Sequence, residues 1–156
     1  MFLAPLKRVP APALILGFAG LLPFLWAAML LLGVDGGISG RLPRALGTDG
    51  RLVMLRYGSV ILPFMSGVLW GFATRARGTR AAAAYALSTL PALWWFFAPG
   101  AGPSSALLNL MSGFAGLLIL DFAFWRWSLA PSWWMALRLP LSIVVLACLG
   151  LALWLT

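Results

Sequence analysis

Five apolar stretches, each close to the length a helix needs to cross a bilayer, dominate this 156-residue sequence and leave little else to build with. A hydrocarbon core about 30 Å thick takes roughly 20 helical residues, because only a backbone that satisfies its own hydrogen bonds survives there. The stretches run from Pro12 to Leu32, Leu52 to Ala73, Ala81 to Ala98, Ser105 to Phe124 and Leu139 to Trp154. Charged residues make up 9% of the chain and apolar ones 63%, whereas a soluble domain carries about 25% charged. Lipid, then, must cover most of the surface. The predicted fold is an all-α integral membrane protein: one transmembrane domain over 1–156, a bundle of about five helices kinked at Pro23, Pro63 and Pro91. Each of these prolines removes a ladder hydrogen bond, a loss that neighbouring helices can make good within a membrane. Pro140 falls near the expected start of the fifth span, where a missing N–H costs little.

Lys7 and Arg8 precede the first stretch, as in a signal peptide, but its apolar run exceeds the ~7–15 residues of a signal-peptide core. It reads as a retained first helix. With the N-terminus inside, the inner side collects Lys7, Arg8, Arg75, Arg77, Arg80, Arg126 and Arg138, and the outer side Arg41, Arg44, Arg51 and Arg56. The excess favours an N-in, C-out topology. The net charge of +8 is spread singly or in small groups between apolar runs, which points to anionic lipid headgroups and not to nucleic acid. Trp125, Trp127, Trp133 and Trp134 flank the fourth connection and read as an interfacial aromatic belt.

The inventory of reactive side chains is narrow. There is no histidine, one cysteine (Cys148) and three carboxylates, Asp35, Asp49 and Asp121. No Ser–His or paired-acid arrangement can be assembled from these, nor a metal-ligand set, so a non-catalytic protein without metal or cofactor is expected. Asp121, near the inner end of the fourth span, calls for a cation: Arg126, Arg138, Arg75 and Arg77 all lie on the inner side, and an interfacial salt bridge with Arg126 and Arg138 is expected.

Two stripes of small and polar residues recur at helical spacing. Ser59, Ser66, Gly67, Trp70 and Gly71 mark one face of the second span, and Asn109, Ser112, Gly113 and Gly116 one face of the fourth. Gly67 and Gly71 form a small-xxx-small pair that lets another helix come close. Both stripes read first as packing within the chain and second as a face for a partner subunit.

Three blocks of the sequence look familiar: RVPAPALILGFAGLLPF, RYGSVILPFMSGVLWG and APSWWMALRLPLSIVV. They resemble the transmembrane protein 69-like family (domain of unknown function 3429), and the resemblance covers nearly the whole chain from Arg8 to Val145. Its most specific parts are Tyr57-Gly58, the Gly67…Trp70-Gly71 ending and the block from Trp133 to Leu141. Asp121 also falls where family members tend to carry an aspartate. Pro63, where a serine is usual, and a longer first loop depart from the pattern. The resemblance implies a small inner-membrane protein of bacterial or mitochondrial type, with no catalytic site to carry over. Together these readings predict a multi-pass protein of the bacterial inner (plasma) membrane that acts through helix–helix contacts. It is expected to be an accessory subunit or assembly factor of a larger membrane complex, with respiratory complexes suspected from the family's distribution. The alternative is a small transporter or channel, as a homo-oligomer.

Overall fold

The computed structural model describes residues 9–41, 43, 47 and 49–155. Lys7, Arg8 and Arg44, which enter the topology count, lie outside the described residues. Helix α1 (Ala11–Ala19) and α2 (Leu22–Leu31) together form the first span. The remaining long helices are α3 (Gly50–Ala73), α4 (Thr79–Phe97), α5 (Pro103–Arg126) and α6 (Trp134–Trp154). The chain is an all-α membrane bundle. α1–α2, α3, α5 and α6 are long and apolar enough to span a membrane.

α4 falls short on composition, because Arg80, Tyr85, Ser88, Thr89 and Pro91 dilute its apolar content. It nevertheless runs antiparallel to α5 along its length. Near one end Trp94 donates its indole N–H to the Asn109 carbonyl at 2.8 Å. Near the other, the Arg80 guanidinium lies 5.9 Å from the Trp127 ring centroid, at the far end of α5. Nineteen residues at 1.5 Å each reach about 28 Å, enough to follow the other helices from one end of the bundle to the other.

α3 is the central helix: it packs on α2, α4 and α5 and touches α6. α6 closes the bundle against α5, α2 and α1, while α4 packs on α3 and α5 from outside. The core runs through Phe24, Met54, Leu62, Leu69, Leu107, Leu117 and Phe124, all with essentially no exposure. Asp49 begins α3 by accepting the Arg51 backbone N–H at 2.9 Å, an N-cap that satisfies one orphan donor. Gly50 follows it because a side chain there would run into the Ala27 carbonyl and come within 2.7 Å of Leu31. Gly78 turns the chain from α3 to α4 with φ 62°, a left-handed conformation that suits glycine.

The prolines fall in two settings. Ahead of Pro23 the first span is interrupted by a turn at Gly20 and Leu21, between α1 and α2, where both residues keep helical dihedrals. Pro63 and Pro91 lie inside continuous helices. Pro140 also lies inside its helix, because α6 begins five residues before the expected Leu139, at Trp134. The earlier start has a physical cause: Trp134, Leu137 and Arg138 share a buried face and belong to the core, not to a wet interfacial segment.

Two side chains tie the ends of the bundle. Arg51 Nη2 donates to the Leu155 carbonyl at 2.6 Å, joining the start of α3 to the end of α6, where a cation also meets the negative end of a helix dipole. At the opposite end Arg75 Nη1 donates to the Leu129 carbonyl at 3.3 Å, holding the α3–α4 connection against the α5–α6 turn.

Candidate functional site

The most organised polar feature is a buried triad between α5 and α6. Asp121 is fully enclosed, with 0% exposure. Its Oδ2 accepts Arg138 Nε at 2.7 Å and its Oδ1 accepts Trp134 Nε1 at 2.8 Å. Trp134 and Arg138 are four residues apart and so share a face of α6. The guanidinium also lies 6.0 Å from the Trp134 ring centroid, and Phe72 of α3 meets that ring edge-on at 4.9 Å between centroids. Both carboxylate oxygens are thereby engaged by α6. Arg138 Nη2 is buried and has no hydrogen-bond partner among the described residues.

This arrangement corrects two expectations. The ion pair itself is enclosed by protein. Arg126 takes no part in it: five residues beyond Asp121 on the same helix, it points about 140° away and is exposed. Trp134 is 8% exposed and serves the carboxylate, so it is not a belt residue. Trp125, Trp127 and Trp133 stay half-buried around the turn, and Trp125 donates to the Ser132 carbonyl at 3.2 Å.

The two small-residue stripes divide. On α3, Ser66 is buried and its hydroxyl donates to the Ser88 carbonyl of α4. On α5, Gly113 admits Leu62 and Trp94, whose atoms would lie 2.6 and 3.1 Å from an added Cβ. The close approach explains how Trp94 reaches the Asn109 carbonyl, a bond to the backbone and not to the side-chain amide. Ser59 and Ser112 bond back to their own helix, at the Arg56 and Leu108 carbonyls. Around Gly67, Gly71 and Gly116 nothing lies within 4 Å of an added Cβ. Trp70, between the first two, is 49% exposed and its ring packs beside Tyr85 of α4. Gly67 and Gly71 therefore face outward, and the packing within the chain expected of both stripes is made by Ser66, Trp70, Asn109 and Gly113.

Sequence spacing did not single out Gly58 as a contact. An added Cβ there would come within 2.5 Å of Leu110 Cδ2, so this glycine sets how closely α3 and α5 approach. Its neighbour across the gap is the single Leu110, and no small-xxx-small pattern flags it.

The family model for a protein of unknown function, DUF3429, matches residues 9–154. The chain belongs to that family. Transmembrane protein 69 of Xenopus tropicalis is 34% identical over 143 residues, which are 89% of this chain and 52% of that protein. The chain thus spans about half the length of this curated relative. No solved structure matches. As a DUF3429 protein it is a multi-pass membrane protein, and the matched region takes in every element that builds the Asp121 triad and the outward glycine face. Among the described residues no three His, Cys, Asp or Glu side chains group as a metal site.

Proposed function

We propose that this DUF3429 protein is a non-catalytic component of the bacterial inner membrane, an accessory subunit or assembly factor that works by docking its outward helix face on a larger membrane complex. The observation that carries this reading is the Gly67–Gly71 face, where nothing lies within 4 Å of an added Cβ. Small residues at this spacing let helix backbones meet closely, and association in lipid depends on such packing because tails offer no hydrophobic drive. The chemistry of the Asp121 triad fits the same view. A carboxylate with both oxygens bonded, paired to a fixed guanidinium, holds two helices together; it is not free to relay protons. A respiratory complex is the partner to test first.

The test is a photocrosslinker placed at Val60 or Phe64 in cells, followed by purification in mild detergent. A stoichiometric crosslink to one foreign membrane subunit, lost in Gly67→Leu and Gly71→Leu, is the expected result. Crosslinks to copies of this chain alone would move the reading to a homo-oligomeric transporter or channel. A reporter fused after Thr156 should be active outside the inner membrane if the topology is N-in, C-out.

A further inference from the structure

A cavity of about 280 Å³ lies beside Arg138, against the turn between α1 and α2. α1–α2, α3, α5 and α6 all contribute to its wall, which is apolar except for Arg138, the Tyr57 hydroxyl and Ser142. The Arg138 side chain is 9% exposed. Its Nε is committed to Asp121, and its buried Nη2 has no hydrogen-bond partner among the described residues. The Trp134 ring near the guanidinium does not stand in for one, because the N–H bonds lie in the guanidinium plane and need an acceptor there. Buried donors in native proteins are almost always satisfied. Nη2 is too enclosed for even a water-sized group to reach, so the donor an occupant can meet is Nη1, which is not enclosed and has no hydrogen-bond partner among the described residues.

Three features specify the occupant. Asp121 already balances the charge of Arg138, and the chain's other acids, Asp35 and Asp49, lie outside the spans. The missing group is therefore an uncharged acceptor oxygen, not an anion. The rest of the wall asks for an apolar body. At a size just under the ~300–1,000 Å³ of small-molecule pockets, the space holds one chain or one ring and not a whole lipid. Entry is lateral: Leu16 and Phe64 line the cavity yet are 72% and 63% exposed on the outer surface of the bundle, which faces lipid. Arg138 is the fifth residue of α6, about 6 Å inside its end at 1.5 Å per residue. So close to the end of a spanning helix, an arginine is within reach of groups near the headgroups.

We infer that this cavity is a binding site for a membrane amphiphile that presents an uncharged carbonyl oxygen to Arg138, with Tyr57 as a second donor. Glycerolipid esters and carbonyl-bearing rings such as benzoquinones share that chemistry. The test compares thermal unfolding of the full chain in nanodiscs of diester phosphatidylcholine and of its diether analogue, which lacks the carbonyls. A short-chain benzoquinone is then added to the diether discs. The expected result is a midpoint higher in the diester than in the diether discs, which assigns a lipid ester, or equal midpoints in the two that the quinone raises, which assigns the ring. Ile61→Phe fills the cavity wall without touching the Asp121 triad, and it should abolish either difference. Arg138→Lys, which keeps the charge but moves the donors, should abolish it as well. Equal midpoints in all three conditions, or a difference that Ile61→Phe leaves unchanged, would overturn the inference.

Discussion

The α5–α6 junction and the α3–α4 seam solve the same problem, holding two helices together in lipid, in opposite ways. The first buries an acid, a base and an indole in one bonded cluster. The second uses one buried serine bond to a backbone carbonyl and leaves the neighbouring glycines facing out. Removing one partner of a buried pair leaves an uncompensated charge in a low-dielectric interior, while a lone neutral hydrogen bond in a bilayer is worth little. The difference teaches that stability and availability are allotted to separate faces. The core is locked at α5–α6, and the glycine face beside α4 is open among the described residues.

The sharpest way to break this comparison is Asp121→Ala. It should destabilise the bundle by about 3–5 kcal/mol, read as unfolding in mixed micelles, with Asp121→Asn losing less because the amide oxygen still accepts from α6. Next, Gly58→Leu and Gly67→Leu make the same chemical change on two faces of one helix. Gly58→Leu should overpack against Leu110 and cost about 1–3 kcal/mol or more; Gly67→Leu should leave the unfolding curve in place and alter only association. Equal effects would erase the distinction between locked and open faces. Ser66→Ala should cost about 0.6 kcal/mol, the mean for such bonds in membranes, and a loss matching Asp121→Ala would mean the seam is not the weaker joint. Smallest is the loop residue Asp35. Hydrogen bonds from Ser39 hold its carboxyl below the usual carboxylate range. A depressed value means that the contact is complete above the ordinary carboxylate pKa and lost as pH falls through the lowered one. Protection of the Ser39 amide from hydrogen exchange should fade only in that acidic range, with the helices unaffected.

Much of the fold was legible because bilayer thickness acts on composition directly: long apolar runs can be little else. The last boundary was not. Trp133, Trp134 and Arg138 belong to residue types that favour headgroups, and only the three-dimensional partner, Asp121, explains why two of them go inside. The acid itself stood out in the sequence, but four arginines were within plausible reach on the inner side, and choosing among them needs the angular position of each around its helix. The glycines divide along the same line. The Gly67–Gly71 pattern announces a close approach that the chain does not use on itself, whereas Gly58 makes one without any pattern, because the fit depends on Leu110 across the gap.

Only 17 positions separate Asp121 from Arg138, and a single turn joins their helices. During synthesis the last two segments can leave the translocon as one hairpin whose opposite charges have already cancelled, so neither has to enter hydrocarbon alone. Arg51 must wait for a carbonyl 104 positions downstream. The Arg51 latch can therefore close only after the whole of α6 has been made.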